Sequence, residues 1–444
     1  MRSNLRSRLR RIRELTAPAS APAPAPAPAS APDLGPDWTP AGYMTVKRAM
    51  LLDAPPFTPV FPPALWILIP DLTRYAPGEA AGPAASPAAS PGDLLFFDLE
   101  TTGLSSGAGV AAFLAAFGRL VPGGAAGDLK LEITQYLLLD YPGKEDFLEA
   151  ALAEFRERAG RAPLTVTYNG KTFDSQILTV QCLMSGKKPP VLFHADLLHP
   201  ARRLWKRVLP SCSQVEIETA VLGLDRTGDT PGALAPDSWF AFLKTGETAA
   251  LRGVCDHNVK DIRGLMRLFA ALARIAEDPL AAWSVYGYDL ENLALHWRKA
   301  CRQNRKYREE RGIEGEIPQT GKSLLALAAR RGLPQAALAL ARDLFRAGEY
   351  EAGQGQLRKI AAGDYSPYMK ALACRTLAID AERRLRDLPL ALSYSEAALG
   401  LDMSSVLPQR LREDLSRRRD RLLEKRAGLA RNRSSEVRFM SPRL

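Results

Sequence analysis

A short apolar run, DLLFFDLE at residues 93–100, constrains the fold of this 444-residue chain more than any other feature. Its length and composition are typical of a buried central strand. Two more strand-like runs follow, AGVAAFLAAFGRLVP at 108–122 and DLKLEITQYLLLDYP at 128–142, and the turn-forming PGGAAGD separates them. Residues 93–142 are therefore predicted to form three strands in a meander.

Helices and strands then alternate. KEDFLEAALAEFRERAG at 144–160 and TFDSQILTVQCLMSG at 172–186 have the spacing of helices, and the first has acids early and bases late, as the helix dipole prefers. PLTVTYNG at 163–170 and VLFHADLL at 191–198 read as strands. This order predicts an α/β fold with a mixed sheet flanked by helices.

The strand signals stop at about residue 278, and an all-α helical-repeat region is predicted beyond it. Two helical pairs break at Ala347–Gly348 and near Asp387, 39 residues apart, with the small-residue and aromatic pattern of tetratricopeptide-like repeats. Because two repeats are fewer than the three usually needed, they are expected to pack on flanking helices at 280–311, 316–331 and 408–427. A plain helical bundle is the alternative.

These patterns divide the chain into five parts. Residues 1–33 combine a basic amphipathic helix with an Ala/Pro-rich linker, expected to be extended and largely disordered. In the poorly defined segment and linker at 34–92, VFPPALWILIP suits either a strand or a docking segment, and no function is assigned to it. The α/β domain spans 93–276, the helical region 277–430 and a basic tail 431–444.

The formal net charge of +11 resides in the two ends of the chain. Residues 1–16 hold six Arg against one Glu, and residues 404–444 hold twelve Lys and Arg against five acids, so the body between them is close to neutral. Basic tails suit a polyanion such as DNA or RNA, although they also occur as solvated helix faces.

The five cysteines are scattered with no C-x-x-C pair, which favours a reducing compartment over disulfides or structural zinc. No apolar run approaches the roughly 20 residues needed to span a bilayer. The Arg-rich start lacks the apolar stretch of a secretory signal. We therefore predict a cytoplasmic protein with no membrane partner.

Three separated segments carry acids. In the first, FDLETTGL, Asp98 and Glu100 point to the same side of a strand because side chains alternate. Two carboxylates on one face repel each other unless a cation lies between them, and hydrated Mg²⁺ or Mn²⁺ is the usual partner. Gly103 allows a tight turn that leaves room for a substrate.

In the second segment, TYNGKTFD, a strand ends near Asn169 and a helix begins near Thr172, which places Asp174 in the first helical turn. Asp174 either stabilises the helix terminus or binds a metal ion. Asn169 either caps the turn or contacts a phosphate.

The third segment, DHNVKD, lies in a long predicted helix. The i, i+4 spacing places His257 and Asp261 on one face. A neutral imidazole beside an activated water can act as a general base while Asp261 completes a metal cage. A lone His on a helix is usually structural, but the other two acidic segments favour catalysis here.

FDLETTGLSSGAGVAAFLAAFGRL, TYNGKTFDSQIL, HADLLHPARRLWKR and HNVKDIRGLMRL resemble the successive motifs of the YprB-like ribonuclease H-like family. This family is a branch of the DEDD exonuclease superfamily and often carries a helical-repeat C-terminus. The resemblance covers roughly residues 93–275. It implies a ribonuclease H-like sheet and a divalent-metal-dependent 3′–5′ exonuclease, with nucleic acid as the partner.

By this resemblance, two Mg²⁺ or Mn²⁺ ions bridge the scissile phosphate, and Asp98, Glu100, Asp174 and Asp261 hold them, with His257 as the His-type catalytic residue. The substrate-binding positions are expected to be Thr101, Thr102, Gly103, Leu104, Tyr168, Asn169 and Phe173. Tyr168-Asn169 departs from the His-Asn of many relatives, which implies different substrate contacts at these two positions. Nothing in these residues separates DNA from RNA.

Two further features leave alternatives open. Asp196, at a strand end, supports the site or simply caps a helix. Basic residues between 298 and 308, with Trp297 and Tyr307 interleaved, suit single-stranded nucleic acid or form a solvated face. The alternative function is a non-catalytic nucleic-acid-binding adaptor whose helices bind protein partners, and the intact set of acids argues against it.

Overall fold

A computed structural model describes residues 33–75, 89–103, 109–124, 128–158, 162–310, 315–401 and 406–439. The predicted basic helix and Ala/Pro linker lie outside the described residues, apart from residue 33. Most of the second Ala/Pro-rich linker does too.

Seven strands form one mixed sheet in this part of the chain, in the order β1-β2-β5-β4-β3-β6-β7. The central strands β3, β4 and β5 form an antiparallel meander, and β6 and β7 run parallel to β3. This arrangement confirms the predicted ribonuclease H-like mixed sheet. The strands are β1 Thr39–Gly42, β2 Thr45–Asp53, β3 Leu94–Thr101, β4 Ala112–Pro122, β5 Leu129–Leu138, β6 Leu164–Thr167 and β7 Phe193–Asp196.

Helices flank the sheet and make up the rest of the described chain. Short 3₁₀ turns lie at Pro70–Thr73, Pro91–Asp93, Tyr141–Gly143 and Gly232–Leu234, and a π-helical turn lies at Ala381–Leu385. The α-helices are α1 Leu65–Leu68, α2 Lys144–Ala153, α3 Asp174–Met184, α4 Leu198–Trp205, α5 Gln214–Ala220, α6 Ala235–Thr245, α7 Ala249–Glu277, α8 Pro279–Tyr286, α9 Leu290–Gln303, α10 Arg305–Glu310, α11 Glu316–Arg330, α12 Pro334–Ala347, α13 Tyr350–Ala362, α14 Pro367–Asp380, α15 Leu388–Gly400 and α16 Gln409–Phe439.

The central strand β3 is buried on both faces. Leu94 and Phe96 face a core built with α4, α7 and α9, whereas Leu95, Phe97 and Leu99 face a core built with α2, α3 and α6. This alternation follows from the period of two along a strand. Because helices cover both faces, the strand reads as a continuous apolar run interrupted only where the acids begin.

The segment at 34–92 contributes to the sheet, which the sequence did not indicate. Strand β2 pairs antiparallel with β5 along its whole length, so the sheet extends beyond the predicted domain start at residue 93. Exposure alternates along β2, but residue polarity does not follow it, because the apolar Leu51 is exposed and the charged Arg48 is half-buried. The sequence therefore shows no amphipathic strand pattern here. The boundaries of the domains stay predictions.

The VFPPALWILIP segment forms a buried helical turn, α1, instead of a strand. Pro62 and Pro63 lack backbone N–H donors and so favour a helix start over a sheet ladder. Trp66 and its neighbours are buried against α7 and α9, and the Phe61 ring lies 5.1 Å from that of Phe269. Of the two alternatives, a strand or a docking segment, the structure therefore favours a segment that docks on α7 and α9.

One hydrophobic core continues from the sheet through α7 into α9, α11 and α12. Two indoles fix this contact with hydrogen bonds: Trp205 Nε1 donates to the carbonyl of Tyr286 at 2.9 Å, and Trp297 Nε1 to that of Ile317 at 2.8 Å. The α/β part and the first helices beyond it are thus packed together.

The C-terminal part is all-helical, as predicted, and its breaks lie where the sequence placed them. Helices α12 and α13 meet at Gly348, whose φ of 83° is the left-handed conformation that glycine adopts without strain. Asp387 caps α15 by accepting a hydrogen bond from the Leu390 amide at 2.8 Å. Helix α16 continues to Phe439, inside the predicted basic tail. Among the described residues, no helix combines the length and apolar character that crossing a membrane requires.

Candidate metal centre and active site

Strand β3 places Asp98 and Glu100 at one end of the central sheet. Asp98 and Glu100 are two residues apart, and side chains alternate along a strand, so both lie on the strand face opposite to the Leu99 side chain. Both line the same cavity of about 240 Å³. Glu100 is only 9% exposed. The strand thus presents two carboxylates, Asp98 half-buried and Glu100 buried, to one small cavity.

Helix α3 brings Asp174 to the same cavity. Asp174 is the first residue of the helix and is 4% exposed, and the backbone amides of Asp174 and Leu99 lower its pKa against the larger effect of burial. The sequence allowed either a helix-terminus role or a place among metal ligands. The structure gives this carboxylate a terminal position and also directs it toward the acids of β3.

Helix α7 supplies His257 and Asp261 on one face, one turn apart. His257 Nε2 lies 3.3 Å from Asp261 Oδ2. Potential ligand atoms of Glu100, His257 and Asp261 all lie within 4.8 Å of one another. Ligands of one divalent ion at 2.0–2.6 Å from it are separated by such distances, so this group has the geometry of a metal site.

Burial and mutual repulsion alter the protonation of these acids. Desolvation, followed by the charges of Asp174, Asp261 and Glu100, raises the pKa of Asp98 well above its ordinary value. Desolvation is also the main cause that raises the pKa of Glu100 to about 8 and that of Asp174 to about 7. Clustered carboxylates at neutral pH are therefore stabilised by a cation among them. Oxygen donors of this kind fit Mg²⁺ or Mn²⁺.

A series of hydrogen-bonded polar side chains orients Asp98. Asn258 Nδ2 donates to Asp98 Oδ2 at 2.6 Å, and Asn258 Oδ1 accepts from Gln135 Nε2 at 2.7 Å. Gln135 Oε1 in turn accepts from Arg48 Nε at 2.6 Å. Asn258 and Gln135 are fully buried. The series links β2, β5 and α7 and fixes one oxygen of Asp98.

A second network holds His257 and Asp261. His257 Nδ1 lies 2.9 Å from Asp229 Oδ2, and Lys260 Nζ donates to the other oxygen of Asp229 at 3.0 Å. Arg226 donates to Asp229 at 2.6 Å and also to Asp261 and Glu218. Burial acts to raise the pKa of Asp229, but the bonds from Lys260, His257 and Arg226 outweigh it and lower the pKa to about 2. Asp229 is thus a stable anion facing the imidazole.

Sequence reasoning assigned no role to Asn258, Arg226 or Asp229. Asn258 lies within the quoted DHNVKD segment, so its position beside His257 was the available signal. Arg226 and Asp229 lie in a loop between α5 and α6 that has no periodicity, and only the tertiary contact with α7 gives them significance.

Four of the predicted substrate-binding residues line the cavity: Thr101, Tyr168, Asn169 and Phe173. Thr102 and Gly103 are not among the lining residues. Thr102 instead ties the end of β3 to the Ala111 amide and carbonyl at 2.9 and 2.8 Å. Leu104 lies outside the described residues.

The turn after β6 is held by Asp196, for which the sequence left a supporting and a capping role open. Its carboxylate accepts hydrogen bonds from the backbone amides of Asn169, Lys171 and Leu198 at 2.8, 3.2 and 3.1 Å. The Leu198 bond caps α4, and the other two fix the turn. Asn169 has a φ of 65° and accepts a side-chain hydrogen bond from Thr172, so it caps this turn at the edge of the cavity.

Comparison with known proteins agrees with this geometry. Residues 95–273 match the model of the RNase_H superfamily. The uncharacterized protein YprB of Bacillus subtilis (strain 168) is similar to this chain, with 38% identity over 187 residues. That match covers 41% of this chain and 42% of YprB, so less than half of the relative's length is spanned.

The matched range contains all four acids of the cavity, which are Asp98 and Glu100 on β3, Asp174 on α3 and Asp261 on α7. Among the described residues, Glu100, His257 and Asp261 lie close enough together to hold a divalent ion. Residues 95–273 are therefore similar to the RNase_H superfamily in sequence, and the sheet that they form has the mixed topology expected from that similarity.

Proposed function

We propose that this protein is a divalent-metal-dependent nuclease that hydrolyses phosphodiester bonds in nucleic acid by a two-metal mechanism, as a DEDD-type 3′–5′ exonuclease. The observation that carries the proposal is the meeting of Asp98, Glu100, Asp174, His257 and Asp261, from one strand and two helices, around one cavity. The exonuclease type rests on the similarity of the motifs.

In this proposal Asp98, Glu100, Asp174 and Asp261 hold two ions, Mg²⁺ or Mn²⁺. When bound, such ions would neutralise charge on the phosphate and lower the pKa of a water molecule, so that the water can give its proton to a base and attack the phosphorus. Asn258 keeps one oxygen of Asp98 engaged at 2.6 Å, which leaves the other oxygen to face the cavity. A fixed ligand orientation reduces the entropy lost when the cation binds.

His257 acts as the general base. Asp229 at 2.9 Å from Nδ1 favours a proton on that nitrogen, which leaves Nε2 with a lone pair on the side of Asp261 and Glu100. A base must lie within hydrogen-bond reach of the proton that it takes, and Nε2 faces the same cavity as the acids. Asp229 is a positioning residue because it acts through the imidazole.

The substrate strand is proposed to enter beside Tyr168 and Phe173, which line the cavity. Aromatic faces can stack on any base, so these contacts are compatible with a nuclease of broad sequence range. Asn169 and Thr101 provide polar atoms at the same edge for the sugar-phosphate backbone.

The test is digestion of end-labelled single- and double-stranded DNA and RNA with Mg²⁺ or Mn²⁺. We expect metal-dependent cleavage by the wild type and a loss of roughly 10²–10³-fold or more in Asp98→Asn and Asp261→Asn. The exposed Glu277, on the same helix as Asp261, gives a matched control in Glu277→Gln, which should retain activity. The position of the label reports the polarity.

A wild-type protein that binds these nucleic acids and cleaves none of them with either ion would contradict the proposal. That result would favour the non-catalytic adaptor, in which the helical part binds protein partners. Thermal unfolding of each variant, measured alongside, separates a lost ligand from a lost fold.

A further inference from the structure

A second cavity, of about 280 Å³, lies among α9, α11 and α12 in the helical part, and we call it the basic cavity. Four cationic side chains and one acid line it. Arg298 and Arg302 come from α9, Lys322 from α11, and Asp343 and Arg346 from α12. None of these residues lines the carboxylate cavity at the end of β3.

The single acid does not neutralise the cations around it. Asp343 accepts two hydrogen bonds from Arg298, at 2.5 and 2.6 Å, and one from Arg346 at 3.0 Å. Arg302 and Lys322 are exposed, and no carboxylate in the part of the chain that the structure describes pairs with either. The cavity therefore has a positive excess, and its two unpaired cations are available to an anion from solution.

The wall and floor of the basic cavity are built by close helix packing. A Cβ on Gly321 would lie 2.7 Å from Trp297 Cδ1, so only glycine lets α11 approach α9 this closely. Pro318 and Leu325 add apolar surface. An apolar floor with a cationic rim suits a ligand that combines a flat base with a phosphate.

We propose that the basic cavity binds the sugar-phosphate backbone of single-stranded nucleic acid, as a contact separate from the carboxylate cavity. This inference rests on the proposed function, because it takes the substrate class from it. Arg302 and Lys322 contact phosphates, and Arg298, held by Asp343, shapes the wall. An acidic peptide has the same charge, but the nucleic acid is favoured because α9 shares one core with the RNase H-like domain.

The test is equilibrium binding of the full chain to a fluorescent single-stranded oligonucleotide of about 15 nucleotides, in EDTA, by anisotropy. We expect Arg302→Glu combined with Lys322→Glu to weaken binding roughly tenfold. The slope of log affinity against log salt should fall by about 1 to 1.4, since each phosphate contact on a single strand contributes about 0.7. The control is Arg330→Glu combined with Lys359→Glu, which reverses two exposed cations outside the cavity and should leave the slope unchanged.

Equal affinities in the cavity variant and the control would overturn the inference. An equal loss of binding to a fluorescent polyglutamate peptide would also overturn it, because the cavity would then be a peptide site. Displacement of the oligonucleotide by inorganic phosphate, together with equal oligonucleotide affinities of the wild type and the cavity variant, would overturn the inference as well. If charge reversal prevents folding, Arg302→Gln combined with Lys322→Gln must give a smaller loss in the same direction.

This experiment needs no divalent ion and no hydrolysis, so its result is independent of the nuclease assay. Binding that depends on Arg302 and Lys322 without any cleavage would overturn the proposed function alone. Cleavage with binding that is insensitive to these residues would overturn the inference alone.

Discussion

The two cavities are similar in size and opposite in charge, with about 240 Å³ at the end of β3 and about 280 Å³ among the helices. The acids of the first are largely buried on strand β3 and helices α3 and α7, whereas Arg302 and Lys322 in the second lie exposed. Buried like charges depend on a cation bound among them, while exposed cations interact with anions weakly and in competition with salt. The first cavity is thus suited to metal ions and the second to phosphates.

The largest effect is expected for Asp174→Asn. Activity should fall roughly 10²–10³-fold because a ligand is lost. In EDTA at pH 8 the melting temperature should rise, since the change removes a carboxylate whose pKa burial has raised to about 7. Calorimetry with and without Mn²⁺ measures both this rise and the loss of metal-induced stabilisation. A fall in stability without metal would show that Asp174 is a structural cap, as a carboxylate at a helix N-terminus commonly is.

Asn258→Ala is expected to weaken metal binding about 10–100-fold, because Asp98 loses the hydrogen bond that orients it. Titration of Mn²⁺ by calorimetry gives the affinity. Asn292→Ala, which removes a half-buried carboxamide that donates to the backbone carbonyl of Arg203, is the matched control and should leave metal affinity unchanged. Identical affinities in the two variants would break the link between this chain of side chains and the metal centre.

Salt should separate the two cavities. If Arg302 and Lys322 each meet one phosphate, raising KCl from about 50 to about 200 mM should weaken oligonucleotide binding in EDTA roughly sevenfold. The melting-temperature increase caused by Mn²⁺ should change far less, because buried pairs are screened less than exposed ones. Equal salt sensitivity of oligonucleotide binding and of the Mn²⁺-induced stabilisation would contradict the difference in burial between the two cavities.

The smallest effect concerns pH. The pKa values of Glu100 and Asp174 in the folded protein, about 8 and about 7, lie above their ordinary values. Protonated carboxyls therefore add stability at low pH that is lost as pH rises toward 8. In EDTA we expect the melting temperature to fall by a few degrees as the pH rises toward 8. The increase in melting temperature caused by Mg²⁺ should grow over the same pH range. A pH-independent melting temperature would mean that these acids are not buried together.

Local patterns predicted much of the site because its acids occur in short, regular segments. The period of two along β3 placed Asp98 and Glu100 on one side, and the period of the helix placed His257 beside Asp261. The networks behind them were not predictable in this way. Gln135 meets Asn258 across 123 residues and Arg226 meets Asp261 across 35, and no local period encodes such contacts.

The sequence alone determined the order of strands and helices from β3 to β7, the mixed sheet and the helical hairpins of the C-terminal part. Strong apolar periodicity and turn residues specify these elements locally. Only the tertiary structure decided that β2 joins the sheet, that α1 packs on α7 and α9, and that Arg302 and Lys322 share a cavity with α12. The physical reason is that edge pairing and helix packing depend on the surface that a distant segment presents, and that surface exists only once the chain has folded.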